Sequence, residues 1–458
     1  MLAITAPVMN RRPLLAKLLI ACYRVPRPTR VSPPNQEHVL RASSICLSYI
    51  IGCYCFTAQR ENDLEAYENM ASTLRRTWAE IDLDALARNY RVLKAHIGEN
   101  VKFCGIVKAD AYGHGSVQVS RCLQESGADY LAVSSIDEAM ELRTNGITMP
   151  ILILGHTPRD QVAKLIENDI TQTITCEAKA VNYSEEAMKL GETLKVHIKV
   201  DTGMSRLGYL CEGDFYENGV RGIVEDCQMP GLDAEGIFTH FAVADEEGEE
   251  ALAYTQHQFQ LFKDVIADVE RQWGKEFRIR HCANTGATAR FPETHLDMVR
   301  PGLLLYGYGE FAQELGLEPV MSLKTAVQTI KHYPANTKVS YGGMYTTDKK
   351  TRMGVLPYGY ADGFLRSLSN KAVVMTAEGP AQQCGRICMD MSMIDLTDKR
   401  SVGVGSEVEI FGKHNSIEDM AAAAGTIPYE LVCAVSKRVP RMYLKGGQVI
   451  EKELLLRF

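Results

Sequence analysis

The sequence predicts an α/β protein, a (β/α)8 barrel of the TIM type followed by a mostly β C-terminal domain. Between about Leu83 and Gly309, short apolar runs alternate with polar segments of helical period that end at glycine. Eight such strand–helix units over roughly 225 residues are what a barrel needs. After Pro319 the chain changes to β-branched segments interrupted by glycine, a texture that is typical of sheets.

The apolar runs define the predicted barrel strands, which are Phe103–Val107, Tyr130–Val133, Ile151–Leu154, Thr173–Cys176, Lys195–Val200, Ala234–Thr239, Ile279–Ala283 and Met298–Tyr306. Two of the segments between them, Ser135–Asn145 and Glu250–Trp273, have a helical period and capping residues. A doubly wound open sheet is the alternative, but no GxGxxG motif opens a helix after the first run.

The C-terminal region is predicted to contain one helix near Ser416–Ala424 and several strands. The predicted strands are Lys324–His332, Lys338–Tyr341, Arg352–Leu356, Ala372–Met375, Met391–Leu396 and Val408–Phe411. This pattern divides the chain into an atypical N-terminal extension over residues 1–76, the barrel over 77–315, and the mostly β domain over 316–458.

The N-terminal extension differs in charge from the rest of the chain. Residues 1–60 contain eight Lys or Arg and one acidic residue, a charge of +7 in a protein whose net charge is -7. The pair Arg11-Arg12 only faintly resembles a twin-arginine targeting signal, since Lys17 interrupts the apolar region and no convincing cleavage site follows. The run Ala42–Ala58 is at the short limit for a membrane span. We favour a third interpretation, in which native translation begins at Met70 and the upstream residues come from a gene model that was extended too far upstream.

Composition excludes several functional classes. With 46% hydrophobic and 23% charged residues and a pI near 5.9, the chain lacks the basic character of a nucleic-acid-binding protein. Beyond Met70 the cysteines form no CxxC pair, and HExxH is absent, so neither a metal site nor a disulfide framework is expected. Reduced thiols indicate a cytoplasmic protein without a membrane partner.

Active sites of such barrels lie at the C-terminal ends of the strands. The residues found there are Lys108, Ser134, Gly155, Thr175, Lys199, Asp201, Thr239, His240, Asn284, Thr285 and Arg300. A lysine that ends a buried strand either extends its ammonium to water, is paired, or loses its charge for use in chemistry.

The last two strand ends could hold an anion. Asn284–Ala287 offers a hydroxyl and small residues, and Arg300–Leu303 offers backbone N–H groups beside a cation. Barrels often bind phosphate after strands seven and eight. A lysine on strand one, opposite a phosphate site, suggests covalently held pyridoxal phosphate.

Eight motifs then point to one family: VKADAYGHG (107–115), KVDTGMSRLG (199–208), FTHFAVAD (238–245), VRPGLLLYG (299–307), VSYGGMY (339–345), YGYADGFLR (358–366), GRICMDM (385–391) and YELVCAVSKRVPR (429–441). Together they closely resemble the alanine racemases, which are fold-type III pyridoxal phosphate enzymes, over about residues 77–443. The resemblance implies interconversion of L- and D-alanine, which supplies D-alanine for bacterial cell-wall peptidoglycan.

The resemblance also implies two catalytic bases. Lys108 would hold the cofactor and, once released, act as one base, while Tyr341 of the partner subunit would act from the opposite face. Racemisation needs both, because the proton leaves one face of the carbon and returns on the other. A tyrosine ordinarily has a pKa of about 10 and needs help, which His240 and Arg300 would provide. Arg300 would also face the pyridine nitrogen of the cofactor.

Further roles carry over by position. Arg206 would bind the substrate carboxylate, helped by Met389 of the partner subunit. Lys199 matches a lysine that is often carbamylated and orients that arginine, although a plain surface lysine is the alternative. The phosphate would meet Tyr112, Thr285, Gly302, Leu303 and Tyr429. Tyr360 would line the entry, with Arg366 nearby.

Because Tyr341 and Met389 would act in the neighbouring site, the resemblance implies a homodimer with shared active sites. Competing functions are a broad-specificity or serine racemase, a decarboxylase of the same fold type, and a non-enzymatic pyridoxal phosphate-binding module. Tyr429 disfavours serine, and Arg300 in place of an acid disfavours a decarboxylase. The module is typically a lone barrel, whereas this chain carries a second domain.

Overall fold

The computed structural model of the chain describes residues 76–454. The predictions made for residues 1–69, including the targeting signal and the start at Met70, lie outside this part. Within residues 76–454, no helix combines the length and the apolar character that a membrane span requires.

The part of the chain that the structure describes contains twenty-one strands, numbered β1 to β21 in chain order. Their bounds are β1 Thr77–Asp82, β2 Lys102–Ile106, β3 Tyr130–Val133, β4 Ile151–Ile153, β5 Ile170–Ile174, β6 Leu194–Asp201, β7 Tyr209–Leu210, β8 Leu232–Phe238, β9 Ile279–His281, β10 Met298–Val299, β11 Met321–Ala326, β12 Thr329–Tyr333, β13 Lys338–Val339, β14 Tyr345–Thr346, β15 Thr351–Leu356, β16 Val373–Thr376, β17 Gly379–Gln382, β18 Ser392–Asp395, β19 Glu407–Phe411, β20 Arg441–Lys445 and β21 Gln448–Glu453.

The α-helices of the described part mostly follow the barrel strands. They are Leu83–Ile97, Ser116–Ser126, Ile136–Thr144, Val162–Glu167, Glu177–Leu190, Tyr216–Cys227, Glu249–Trp273, Thr285–Arg290, Glu310–Glu314, Ile417–Ala424 and Pro428–Cys433. The segment Lys108–Gly113, between β2 and the helix Ser116–Ser126, is a left-handed turn and not an ordinary α-helix.

The predicted barrel is confirmed. Eight parallel strands form one nearly closed sheet in the order β10-β2-β3-β4-β5-β6-β8-β9. Their side chains fill the interior, as the almost entirely buried strands β3, β4 and β5 illustrate. Because neighbouring barrel strands are all parallel, the carboxyl ends of the eight strands meet at one face.

Two predicted barrel strands differ from the observed ones by three or more residues at one end. β5 begins at Ile170, three residues before the predicted start at Thr173. The predicted strand Met298–Tyr306 was too long, since β10 ends at Val299 and Leu303–Tyr306 forms a 3₁₀ turn. Pro301 explains the break, because a proline has no N–H to donate to the sheet.

The predicted mostly β domain is also confirmed. Its main sheet has the order β17-β16-β19-β11-β1-β20-β21, beside sheets of three strands (β12-β15-β18) and two strands (β13-β14). β1 precedes the barrel in sequence yet pairs with β11 and β20 in this sheet. The predicted strand Lys324–His332 is two strands, β11 and β12.

The turn after β2 has an unusual backbone. Ala109, Asp110, Ala111 and Tyr112 all have left-handed helical angles, with φ between 50° and 55°. Each such residue with a side chain costs roughly 1–2 kcal/mol relative to the right-handed form. A turn of this kind persists only where the surrounding structure holds it.

The two glycines that end this turn are required by space. A Cβ on Gly113 would lie 2.4 Å from the Val432 carbonyl oxygen, and one on Gly115 would lie 1.8 Å from the Tyr443 hydroxyl. Arg441 then fastens the turn, since its Nε donates to the Gly113 carbonyl at 3.0 Å. The C-terminal sheet therefore packs directly against the turn that carries Lys108.

Candidate active site

A cleft of about 540 Å³ opens at the carboxyl ends of the barrel strands. It is lined by many of the residues singled out in the sequence: Lys108, Tyr112, Ser134, Gly155, Lys199, Arg206, His240, Asn284, Thr285, Arg300, Gly302 and Tyr429. Leu303 is buried directly behind Gly302. The structure thus brings together residues that are spread over more than 300 positions of the chain.

Lys108 projects into the cleft from the end of β2. Burial lowers the pKa of its ammonium, the nearby Arg206 lowers it further, and the Glu138 carboxylate acts in the opposite direction. A lysine whose charged form is disfavoured in this way has more of its amine uncharged near neutral pH, and the uncharged amine is the form that acts as a nucleophile or accepts a proton. The interpretation of Lys108 as a solvent-seeking surface group does not fit this surrounding.

Arg300 crosses the floor of the cleft and is only 3% exposed. Its Nη2 donates to the Thr239 carbonyl at 2.7 Å and lies 3.5 Å from His240 Nδ1, while Nη1 lies 2.7 Å from His281 Nδ1. Burial lowers the pKa of Arg300 to about 10, which leaves it cationic near neutral pH. The same burial, with Arg300 beside them, lowers the pKa values of His240 and His281 well below the ordinary range.

A row of buried histidines extends from Arg300 into the barrel. Because Arg300 can only donate, neutral His281 must accept at Nδ1 and carry its proton on Nε2. That Nε2 lies 2.8 Å from His197 Nδ1, and His197 Nε2 lies 3.4 Å from Glu235 Oε1. The arrangement fixes the orientation of the guanidinium from below.

Thr285, Gly302 and Tyr112 form a small cradle opposite Lys108. The Gly302 N–H donates to Thr285 Oγ1 at 2.9 Å. The ring of Tyr112 packs edge-on against Tyr429, with centroids 5.6 Å apart. Burial raises the pKa of Tyr429, while Thr285 and the Leu303 backbone oppose this by hydrogen bonding, so its hydroxyl is protonated and can donate.

Arg206 lies on the loop after β6. Asp201 Oδ1 accepts the N–H groups of Gly203 and Ser205, each at 3.0 Å, and this holds the loop. Beneath it Lys199 is 7% exposed, so it is not a surface lysine. Burial, assisted by Arg300, lowers the pKa of Lys199 well below the ordinary value, which favours an uncharged amine there.

Comparison with known proteins identifies the family of the chain that contains this cleft. Residues 81–310 match the family model described as "Alanine racemase, N-terminal domain", and residues 320–443 match "Alanine racemase, C-terminal domain". The chain belongs to the alanine racemase family. Members of this family are isomerases that use pyridoxal phosphate.

Curated relatives and solved structures agree with this assignment. Alanine racemase 2 of Caldanaerobacter subterraneus subsp. tengcongensis is 41% identical over 389 residues, 83% of this chain and 98% of the relative. The alanine racemase of Methanococcus maripaludis is 45% identical over 80% of this chain and 98% of its own. Among solved structures, the alanine racemase of Clostridium difficile 630 has a TM-score of 0.78 and 39% identity, covering 83% of this chain and 99% of that one.

A further structure, alanine racemase from Bacillus anthracis with bound L-Ala-P, has a TM-score of 0.74 and 34% identity, over 83% of this chain and 98% of that one.

The cleft fits the cofactor of the alanine racemase family. A Cβ added to Gly302 would lie 2.9 Å from the Tyr112 hydroxyl and 3.4 Å from Thr285 Oγ1, so any side chain there would fill the cradle. The hydroxyls of Thr285 and Tyr429 can donate to phosphate oxygens. The cleft also contains the amine of Lys108, a group of the kind that reacts with an aldehyde.

Gly302→Ala is therefore expected to weaken pyridoxal phosphate binding by about 10- to 100-fold, the cost of one or two lost phosphate contacts. Equilibrium titration of the apoprotein with the cofactor measures this. Gly403→Ala is the matched control, because a Cβ at Gly403 would meet nothing within 4 Å. Wild-type affinity in Gly302→Ala would contradict the placement of the phosphate.

Four residues implied by the alanine racemase resemblance lie outside the cleft. Tyr341 and Met389 line a separate groove of the C-terminal domain and are 69% and 54% exposed. Tyr360 is 43% exposed, and its N–H donates to the Cys388 carbonyl beside Met389. Arg366 begins a 3₁₀ turn, Arg366–Leu368, on the same domain.

Sequence reasoning overlooked residues that support the site from behind. His281 and His197 lie within barrel strands, and a histidine in an otherwise apolar strand was the available signal. Glu138 was also missed, since it reads as the third residue of a helix that begins after Ser135.

Proposed function

We propose that the chain interconverts L- and D-alanine, with Lys108 and Tyr341 of the partner subunit as its two bases. The observation that carries the proposal is Lys108 at the end of β2, in one cleft with the Thr285–Gly302 cradle and Arg206. When bound, pyridoxal phosphate condenses with the amine of the substrate, with loss of one water. Its ring then withdraws electrons and makes the hydrogen on the amine-bearing carbon acidic.

The chain's own residues then bind, orient and move protons. Arg206 would hold the substrate carboxylate. The cradle of Thr285, Gly302 and Tyr112, together with Leu303 and Tyr429, would hold the phosphate. Lys108, freed from the cofactor by the substrate amine, would take up or deliver a proton on one face. Arg300 would face the ring nitrogen, where a strongly basic guanidinium releases its proton reluctantly. This weakens the ring's electron withdrawal and disfavours side reactions.

The second base would come from a neighbouring chain. Tyr341 is 69% exposed at a groove separate from the cleft that contains Lys108. Met389 and Tyr360 lie exposed in the same region, so one partner surface would supply all three. An exposed apolar surface of this kind is typical of a subunit interface. We infer a homodimer in which each active site takes residues from both chains.

Shared sites predict complementation between inactive variants. Lys108→Ala and Tyr341→Phe chains, each with about 1% of the wild-type activity or less alone, are expected to recover about a quarter of that activity when coexpressed. With random pairing about half of the dimers are mixed, and each mixed dimer has one intact site of two. Lys108→Ala coexpressed with the double variant provides the control and should stay inactive. A mixture without activity would contradict the sharing of sites.

Carbamylation of Lys199 stays a prediction. Its burial and its disfavoured charge support it, because carbon dioxide reacts with the neutral amine. The product would be a carbamate anion beside Arg206. This anion would orient the Arg206 guanidinium so that it can bind the substrate carboxylate.

The activity itself is tested by incubating the purified holoprotein with L-alanine and resolving the products by chiral chromatography. D-alanine is expected to accumulate until both enantiomers are nearly equal, and L-serine is expected to react more slowly because Tyr429 narrows the site. Failure to form D-alanine would contradict the proposal. We place the reaction in the cytoplasm, where it would supply D-alanine for bacterial peptidoglycan.

A further inference from the structure

Glu138 connects the ends of two barrel strands at the mouth of the cleft. Its Oε1 accepts the Ala109 N–H at 2.7 Å, and its Oε2 accepts both the N–H and the hydroxyl of Ser134, at 2.7 and 2.9 Å. Ala109 directly follows Lys108, and Ser134 directly follows β3. Both carboxylate oxygens are therefore committed to residues that border the cleft.

The Ala109 N–H needs an acceptor from outside its own turn. The first N–H groups of a helical turn have no partner within it, whatever the hand of the turn. Ala109 is also the first of the four left-handed residues, so the strain begins at this peptide. Glu138 binds the start of the turn, while Arg441 binds its end at the Gly113 carbonyl.

We propose that Glu138 is a positioning residue that fixes the Lys108 turn so that the lysine amine meets the cofactor aldehyde. The inference rests on the proposed function, in which the amine adds to the aldehyde and one water leaves. Without Glu138, the exposed Ala109 N–H is left to water, and the first left-handed residue of the turn loses the carboxylate that holds it, while Arg441 still holds the other end. The lysine would then be presented from a backbone that samples other conformations.

The contacts of Glu138 also explain why this residue should be an acid. A glutamine keeps the size and one acceptor oxygen, but its NH₂ group cannot accept the second set of N–H donors. Either Ala109 or Ser134 would then face a donor instead of an acceptor. The charge matters as well, because a carboxylate beside Lys108 counters the positive Arg206 nearby.

The test compares Glu138→Gln with Asp137→Asn, which removes the same charge from the neighbouring, exposed position of the same helix. Each apoprotein is mixed with pyridoxal phosphate, and covalent attachment is followed by visible absorbance. Affinity is measured separately for pyridoxine phosphate, which carries the same phosphate and ring but no aldehyde. Hydrogen exchange of the Ala109 amide is measured in the apoproteins.

For Glu138→Gln we expect attachment to slow about 10- to 100-fold, the effect of losing one charge-assisted hydrogen bond, with faster Ala109 exchange. Pyridoxine phosphate should bind within about twofold of wild type, because the cradle is untouched. Asp137→Asn should match wild type in all three measurements.

A second variant provides a rescue. Glycine adopts the left-handed conformation without the penalty of a side chain. Adding Ala109→Gly to Glu138→Gln should therefore restore part of the attachment rate, and it keeps the comparison available if the single variant folds poorly.

Three results would overturn the proposal: attachment at the wild-type rate in Glu138→Gln, an equal loss of pyridoxine phosphate affinity, or unchanged Ala109 exchange. Failure of the proposed function would look different, since the wild-type protein would then form no D-alanine, whereas the effect of Glu138→Gln on cofactor attachment would be measured as before. The hydrogen exchange of the Ala109 amide would still report on its hydrogen bond to Glu138 in that case.

Discussion

Lys108→Ala is expected to abolish the visible absorbance of the holoprotein and to lower racemisation by at least about 10⁴-fold. The substitution removes both the amine that attaches the cofactor and one of the two bases, and a single general base already contributes about 10²- to 10⁴-fold. Loss of the amine affects attachment of the cofactor, and loss of the base affects proton transfer, so the two effects on the rate should combine. Absorbance spectra and a chiral assay measure them separately.

Lys102→Ala is the matched control for this variant. Lys102 begins the same strand that Lys108 follows, at the opposite end of the barrel and far from the cleft. It should retain both absorbance and activity. A Lys108→Ala protein that still attaches pyridoxal phosphate at the wild-type rate would show that another amine holds the cofactor.

Tyr341→Phe is expected to slow racemisation by about 10²- to 10⁴-fold while leaving the absorbance unchanged. Only a hydroxyl is lost, and it lies outside the cleft of its own chain. Lys108 still works on its face, so in D₂O one enantiomer of alanine should exchange its α-hydrogen without inverting. Mass spectrometry of each enantiomer, combined with the chiral assay, detects this.

Tyr333→Phe provides the comparison, because Tyr333 lines the same groove and has no proposed role in the reaction. It should racemise alanine at nearly the wild-type rate. Equal loss of exchange in both enantiomers of the Tyr341→Phe protein would argue against two bases on opposite faces.

The fold was predictable because the barrel strands are continuous apolar runs with a regular spacing. The bounds failed where local features interrupt a run, as Pro301 does after β10. The position of β1 could not be predicted from the sequence, because its pairing with β20 joins segments from opposite ends of the described chain. Periodicity reports which face of a segment is buried and not which partner buries it.

The left-handed turn could not be predicted from its own residues. Ala109, Ala111 and Tyr112 have no preference for that conformation, and the groups that hold it come from far along the chain. Glu138 was concealed by a familiar pattern. The sequence from Ser135 to Glu138 reads as a capping box, in which the glutamate would return to the start of its own helix. In the structure its carboxylate instead accepts hydrogen bonds from the N–H groups of Ala109 and Ser134.

Arg441 also sets an order of events during protein synthesis. It binds the Gly113 carbonyl from 328 residues further along the chain, and Tyr443 packs against Gly115 from the same strand. A nascent chain that has not yet released β20 from the ribosome lacks both contacts. The contacts that hold the lysine turn from this strand therefore form only after β20 has been translated.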